Sequence, residues 1–230
     1  MPTINASKYG YMVNSASGTG AFSECRNATS ATGTVVNQPT TTNQIPVQFS
    51  LGFSSKGDSA TLRRQWWAFD VSSYASGFTI SDLQINFDPT TNTSTNFPIA
   101  IVASTAQGNA NSNLTQADWN NLEFGTLYGG STSTYWPDSN SVSTIDLNAT
   151  AVSAFSTSYL KICILWYYDY LGTGALTTTN GNAYQNFTYT PRITFSAAAS
   201  GYTKEVNGIS SYSKINGRGK SDISKVNGVE

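Results

Sequence analysis

Two aromatic runs in this sequence have side chains that suit ligand binding, Tyr135-Trp136 and Tyr167-Tyr168-Asp169-Tyr170. Aromatic faces stack on sugar rings, and neighbouring carboxylates or amides bind sugar hydroxyl groups. These runs therefore indicate a glycan-binding surface, and its candidate residues are Tyr135, Trp136 and Tyr170.

Packing in a protein core is the alternative interpretation of the same aromatic residues. Trp166 and Tyr168 share strand parity with Ile164, so both are expected in the core, whereas Tyr167 and Asp169 share the outward face. In a β-strand, alternate side chains of such an aromatic run must face the protein core. The choice between a ligand site and a core therefore depends on the fold that carries the rows.

The usual catalytic side chains and motifs are missing from this sequence. It contains no histidine, which excludes Ser-His-Asp and Cys-His catalysis as well as zinc sites with histidine ligands. No phosphate-binding or dinucleotide-binding glycine motif is present. Thirteen acidic residues are available for paired-carboxylate chemistry, but none stands out by its placement. We therefore predict no enzymatic activity and no catalytic residue.

No cofactor is expected, and the sequence leaves open whether the protein holds a structural calcium ion. Asp138 and Asp169 lie in or near predicted loops and could supply carboxylate ligands, with ordinary surface carboxylates as the alternative. Cys25 and Cys163 are the two cysteines, which is too few for a disulfide framework. Cys163 lies in an apolar run and is expected to be buried, and a bond to Cys25 stays open.

The composition limits the classes of partner. Charged residues make up 11% of the chain and the net charge is −1, so neither nucleic acid nor an anionic membrane is a predicted partner. The first residues lack the basic and apolar regions of a signal peptide, which predicts synthesis in the cytoplasm. Neutral surfaces rich in Ser, Thr and Asn are typical of extracellular and virion β-proteins.

The last thirty residues repeat a short turn motif three times. Asn-Gly follows a β-branched residue in each copy, which is the strongest short signal for a β-hairpin. The segment has no Leu, Phe or Trp, so it needs a partner surface to become ordered. We predict that this tail mediates assembly with neighbouring subunits, in an oligomer. The candidate assembly residues are Val206, Asn207, Gly208, Ile215, Asn216, Gly217, Val226, Asn227 and Gly228.

Apolar and polar residues alternate along several short segments between turn-rich stretches. This period of two predicts an antiparallel β-sandwich of the jelly-roll type. Trp67 and Phe69 are expected in the core. Trp66 has outward parity, where it could bind a ligand, pack against a second sheet or contact a neighbouring subunit. The predicted strands are 47–53, 66–71, 82–87, 97–101, 143–148, 160–166 and 192–196. The predicted turn-rich stretches are 37–43, 89–96, 129–134 and 172–182.

Helix is scarce in this pattern and limited to one or two short connectors. Thr115 and Asp118 form a capping-box pattern that could begin a helix through Leu122. Asn148 could cap a second helical turn over 149–155. We assign residues 1–198 to the body and residues 199–230 to an irregular tail, with 197–201 as a hinge of small residues.

Short motifs in the body resemble the DNRLRE-type, carbohydrate-binding-module-like jelly rolls. The run Arg64-Gln65-Trp66-Trp67-Ala68-Phe69-Asp70-Val71-Ser72-Ser73 is similar to their signature strand, and Thr190-Pro191-Arg192-Ile193 to their closing strand. The run Leu114-Thr115-Gln116-Ala117-Asp118-Trp119 resembles a variant common in tailed-phage virion proteins, whose C-termini are similar to Lys225-Val226-Asn227-Gly228-Val229. Members of the family serve as glycan-binding modules, wall-protein segments, fibres or decoration domains, so the fold alone does not assign one function.

The resemblance and the tail together predict a non-enzymatic virion protein of a tailed phage. It would be a head decoration, fibre or tail-associated subunit, made in the host cytoplasm and located on the virion. A carbohydrate-binding or adhesin module is the second interpretation, with surface glycans as partners. An extracellular filament subunit is the third.

Overall fold

The computed structural model describes most of the body and two short pieces of the tail. The described residues are 1–37, 44–54, 57–87, 98–108, 112–135, 143–156, 158–173, 181–186, 191–199, 214–215 and 218–219. For residues 44–54, 57–58, 87, 135, 143, 156, 181–186, 214–215 and 218–219, the backbone alone is described.

Strands dominate the described residues and the helices are short. The strands are β1 (Thr3–Asn5), β2 (Lys8–Ser17), β3 (Val35–Asn37), β4 (Gln44–Ser54), β5 (Gly57–Asp70), β6 (Phe78–Phe87), β7 (Pro98–Ser104), β8 (Leu122–Tyr135), β9 (Ser143–Asp146), β10 (Tyr159–Trp166), β11 (Gly181–Asn186), β12 (Arg192–Ala199), β13 (Lys214–Ile215) and β14 (Arg218–Gly219). The α-helices are α1 (Ala21–Asn27), α2 (Ala149–Ser153) and α3 (Tyr167–Leu171). The 3₁₀ helices are Ser72–Tyr74, Gln116–Asn120 and Ala154–Ser156.

The body strands form two antiparallel sheets, which confirms the predicted all-β sandwich class. One sheet has the strand order β1-β12-β6-β9, and the larger sheet has the order β11-β4-β5-β10-β7-β8 with β2 and β3 alongside. Within β5, Gln65 pairs with Tyr11 of β2 and Ile164 of β10, whereas Arg63 pairs with β2 and β4. Because a strand has only two edges, β4 and β10 share the edge opposite β2. The long β5 strand therefore organises the larger sheet.

A row of isoleucines forms the inner face of the smaller sheet. Ile193 of β12 pairs with Ile4 and Ile85, and Ile85 pairs with Ile145, so all four side chains lie side by side. Ile193 and Ile85 are fully buried, and the other two pack against the same core. The period of two in the sequence thus produces one continuous apolar layer.

The core positions of β5 agree with the sequence pattern. Trp67 and Phe69 are fully buried and pack edge to face, with ring centroids 6.4 Å apart, as predicted. Trp66 has the opposite parity, as predicted, but it is also 0% exposed, because its face of the sheet is covered. Its ring lies 6.0 Å from that of Trp119, which belongs to the 3₁₀ helix Gln116–Asn120. The second face of β5 is therefore covered by a further layer.

Both predicted helix caps are present. Thr115 and Asp118 form the reciprocal capping box that begins the 3₁₀ helix, although the helix ends at Asn120 and Leu122 already belongs to β8. The Asn148 side chain accepts hydrogen bonds from the backbone N–H groups of Thr150 and Ala151 and thereby caps α2.

Other local predictions were wrong. The turn-rich stretch 129–134 lies within β8, and β11 begins inside the stretch 172–182. Ala197, Ala198 and Ala199 are not a hinge, because they pair with Ile80, Thr79 and Phe78 in the smaller sheet. The residues between Trp166 and Gly172 form α3 instead of a strand. In each case the pairing of distant segments outweighed a local preference for turn or strand.

Candidate functional site

The helix α3 places Asp169 inside the protein. Asp169 is 1% exposed, so its predicted position on an outward strand face or as a calcium-binding loop carboxylate is wrong. The cause is the change from strand to helix after Trp166, which removes the alternation on which the prediction depended. The carboxylate now points to β5 and needs a buried partner there.

Arg64 of β5 is that partner. Its Nε donates to Oδ2 of Asp169 at 2.7 Å and its Nη2 donates to Oδ1 at 2.8 Å, which is a two-point contact between guanidinium and carboxylate. Nη1 also donates to the carbonyl oxygen of Trp119, and Nη2 to that of Arg26, both at 3.1 Å. Arg64 is 0% exposed, so these hydrogen bonds replace its lost hydration.

A second arginine, Arg26 of α1, holds the end of α3. Its Nε donates to the carbonyl oxygen of Asp169 at 2.7 Å, and its Nη2 donates to that of Tyr170 at 3.2 Å. The guanidinium lies 4.0 Å from the centre of the Phe124 ring. On Gly172, at φ +71°, a Cβ atom would come within 3.2 Å of the same guanidinium. Arg26 therefore adds hydrogen bonds to two carbonyl groups near the C-terminal end of α3, where the Asp169 carbonyl also accepts from the backbone N–H of Gly172.

We refer to Arg26, Arg64 and Asp169 as the arginine clamp. It joins α1, β5 and α3, and Trp119 adds the 3₁₀ helix by stacking 4.2 Å from the Arg64 guanidinium. Two cations face one carboxylate, so the clamp carries one excess positive charge. Burial lowers the pKa of Arg26, the carboxylate of Asp169 opposes that shift, and Arg64 adds to it.

The tyrosines of α3 flank Asp169, the carboxylate of this clamp, along the helix. Tyr167, Tyr168 and Tyr170 are each half-buried. The rings of Tyr167 and Tyr170 are 5.5 Å apart, and the Tyr168 ring is 5.0 Å from that of Trp166. We call these three residues the α3 tyrosine surface, which keeps part of its aromatic area accessible to a ligand.

The predicted glycan-binding residues are only partly described. Tyr170 belongs to the α3 tyrosine surface. The backbone of Tyr135 ends β8 opposite Pro98, and the next residue, Ile99, pairs with Trp166, so Tyr135 and α3 lie at the same end of the larger sheet. Trp136 lies outside the described residues. Tyr170 is therefore the one candidate whose side chain is described, and Tyr167 and Tyr168 of the same aromatic run were not among the chosen candidates.

The assembly residues are described at one point only. Ile215 belongs to β13, which pairs antiparallel with β14 through Ile215–Arg218 and Lys214–Gly219. The other candidates lie outside the described residues: Val206, Asn207, Gly208, Asn216, Gly217, Val226, Asn227 and Gly228.

A second group of polar contacts surrounds Asp118 and stabilises the fold. Its carboxylate accepts hydrogen bonds from the backbone N–H groups of Thr115 and Gln107 and from the side chain of Asn121. Lys161 donates to the carbonyl oxygens of Ala106 and Gly108 nearby. Within the described ranges no group of three or more Cys, Asp or Glu side chains could hold a metal ion. Asp138 lies outside those ranges.

Cys25 and Cys163 are separate, buried thiols, and Cys163 is in the core as predicted. Burial raises the pKa of Cys25 to about 11 and raises that of Cys163. Since the thiolate is the reactive form, we expect neither cysteine to react with a colorimetric disulfide reagent in the native protein. Both cysteines should react after unfolding in guanidinium chloride. A rapidly reacting thiol in the native state would contradict these buried positions.

The raised pKa values of the two thiols predict how the stability of the protein changes with pH. Their pKa values are higher in the folded than in the unfolded state, so their contribution to stability is complete below the unfolded value of about 8.5 and falls at higher pH. Urea unfolding of the wild type and the Cys25→Ala variant at pH 7 and pH 10 tests this. The loss on raising the pH should be smaller in the variant.

Arg64 carries the signal that could have revealed the clamp. It shares parity with Leu62 and Trp66 in the strand pattern, and a charge in an apolar row requires a buried counter-charge. The identity of that counter-charge, 105 positions away along the chain, had no local signal.

No helix among the described residues has the length and apolar character needed to span a membrane. Comparison with protein-family models and with curated proteins gave no match.

Proposed function

We propose that this chain is a non-enzymatic virion structural protein of a tailed phage, with a displayed β-sandwich body and a C-terminal tail that engages a neighbouring subunit. The observation that carries the proposal is the β13–β14 hairpin, whose strands pair with each other and, within the described residues, with neither body sheet. The resemblance to virion jelly rolls supports the same assignment. We also propose, as part of this assignment, that the sandwich has the jelly-roll topology. The protein would be made in the host cytoplasm and located on the virion.

Strand pairing is the mode of contact that suits this tail. Its backbone groups would form hydrogen bonds with an exposed edge of the partner, and its β-branched side chains would set the register. A polar segment loses conformational entropy when it becomes ordered, so one copy of the motif binds weakly. Three copies of the motif, or several subunits in an oligomer, raise the apparent affinity.

Deleting residues 201–230 should leave a folded body that no longer enters the particle. Every strand of both body sheets ends by Ala199, so the free energy of unfolding should fall by less than about 2 kcal/mol. Mass spectrometry of purified particles measures incorporation, and urea unfolding measures stability.

Two variants with an intact tail length serve as controls for the deletion. Gly208, Gly217 and Gly228 changed together to Val should also prevent incorporation, since Val resists the positive φ of the turns. Ser210, Ser211 and Ser213 changed to Ala keep every Asn-Gly pair and should incorporate normally. Normal incorporation of the tailless protein would refute the assembly role.

A carbohydrate-binding or adhesin function is the second candidate, and the α3 tyrosine surface favours it. Tyrosine rings that are fixed in place and partly exposed can stack on sugar rings, and their hydroxyl groups can bind sugar hydroxyls. This function is compatible with a displayed virion body, because the tail and the tyrosines belong to different parts of the chain.

A further inference from the structure

The α3 tyrosine surface places three half-buried tyrosines within four consecutive residues. Besides the three half-buried tyrosines, the adjacent Leu171 is 46% exposed. Elsewhere in the described residues the large apolar side chains that are exposed are Met1 and Phe78. An aromatic area of this kind on a surface rich in Ser, Thr and Asn indicates a binding surface.

The arginine clamp makes this surface rigid. A helix of five residues is unstable by itself, yet α3 is fixed by hydrogen bonds from Arg26 to its last carbonyl groups and by the Arg64–Asp169 ion pair. A ligand would therefore meet tyrosines whose positions are already set. Binding then requires little additional ordering of the protein.

The clamp also supplies an unbalanced positive charge at the same place. Three N–H groups of Arg26 donate to the Asp169 and Tyr170 carbonyl oxygens and to the side chain of Asn27. Its remaining N–H groups have no acceptor within the described part of the chain, and 18% of the side chain is exposed. Within the described part of the chain, Arg26 and Arg64 share the single carboxylate of Asp169, which leaves one positive charge uncompensated.

We propose that the α3 tyrosine surface and Arg26 together bind an acidic saccharide, with a sugar ring on the tyrosines and its carboxylate at the guanidinium of Arg26. The assignment rests on the carbohydrate-binding function proposed above and adds the class of sugar. One cation beside partly exposed tyrosine rings matches a uronic acid residue, which carries one carboxylate per ring. Nucleic acid is a poor match, because it requires several cations to neutralise successive phosphates.

Affinity electrophoresis of the full-length protein tests the proposal with polygalacturonic acid, a neutral galactan and poly-glutamate as probes. Polygalacturonic acid should retard the protein, and the effect should weaken as salt is added. Tyr167→Ala and Tyr170→Ala should each weaken that binding about tenfold or more. Arg26→Gln should abolish the preference for the acidic over the neutral polymer, and a thermal scan shows whether this variant still folds.

Tyr11→Ala is the matched control for the tyrosine variants. Tyr11 is also half-buried, but it lies on β2 with parity opposite to Asn14, whose side chain contacts α1. The Tyr11→Ala variant should therefore bind polygalacturonic acid as the wild type does. Retardation that is unaffected by the α3 tyrosine variants would overturn the site.

The probes separate this inference from the function on which it rests. Equal, tyrosine-dependent binding of both polysaccharides would overturn the acidic assignment and leave the carbohydrate-binding function standing. Equal binding of poly-glutamate would overturn the saccharide assignment, because the surface would then take any polycarboxylate. No binding to either polysaccharide or to a bacterial glycan array would overturn both the inference and the carbohydrate-binding function.

Discussion

Replacing Asp169 by Asn should lower the free energy of unfolding by about 3–5 kcal/mol, since it leaves the buried guanidinium of Arg64 without a counter-charge. Arg64 is 0% exposed and its two contacts with the carboxylate are 2.7 and 2.8 Å long. Among the described residues, Asp169 is the acid that forms an ion pair with Arg64, and it also lies 3.8 Å from Nε of Arg26. Urea unfolding, followed by tryptophan fluorescence, measures the change.

Asp146→Asn is the matched control for this variant. Asp146 is exposed and accepts one side-chain hydrogen bond, from Gln84 at 2.8 Å, so its replacement should change stability by less than about 0.5 kcal/mol. Replacing both partners of the clamp, as Arg64→Met with Asp169→Leu, should cost less than Asp169→Asn alone, because no buried charge is left unpaired. A loss below about 1 kcal/mol for Asp169→Asn would show that the ion pair does not hold the layer in place.

Replacing Phe69 by Ala should lower the free energy of unfolding by about 3–5 kcal/mol. Phe69 is fully buried, pairs with Leu160 across the sheet and packs against Trp67. Truncation removes the ring from the centre of the larger sheet, where neighbouring strands cannot collapse into the cavity. The melting temperature should fall on the order of 10 °C for a domain of this size.

Phe78→Ala provides the control for a phenylalanine of the same size at the surface. Phe78 is the first residue of β6, is 39% exposed and contacts the Tyr74 ring. Its truncation should therefore lower the free energy of unfolding by less than about 1.5 kcal/mol. A soluble Phe69→Ala protein with unchanged stability would contradict the position of this strand in the core.

Local patterns predicted the parts of the fold that local chemistry controls. The alternation in β5 and β10 follows from the period of two in a strand, and it correctly placed Trp67, Phe69 and Trp166 inside. The caps at Thr115 and Asn148 were equally readable, because a capping side chain and the N–H groups it satisfies lie within three residues. Such signals require no knowledge of the rest of the chain.

The alternation along one strand predicts which face of the sheet a side chain lies on, but it does not predict whether that face is exposed. Trp66 and Trp67 are consecutive residues and both are 0% exposed, although alternation allows only one of them in the sandwich core. The second face became buried because α1, α3 and the 3₁₀ helix Gln116–Asn120 pack on it, and these come from three other regions of the sequence. A strand pattern does not reveal which distant segments will cover it.

The sequence by itself determined the sandwich class, its main strands, the core positions of Trp67 and Phe69, and Tyr170 as one candidate ligand residue. Only the tertiary structure decided that α3 is a helix, that Asp169 is buried, and that Arg26 stands beside the tyrosines. The physical reason is the range of the interactions. Alternation and capping act over a few residues, whereas the ion pair between Arg64 and Asp169 joins positions 105 apart and forms only when the sheet brings them together.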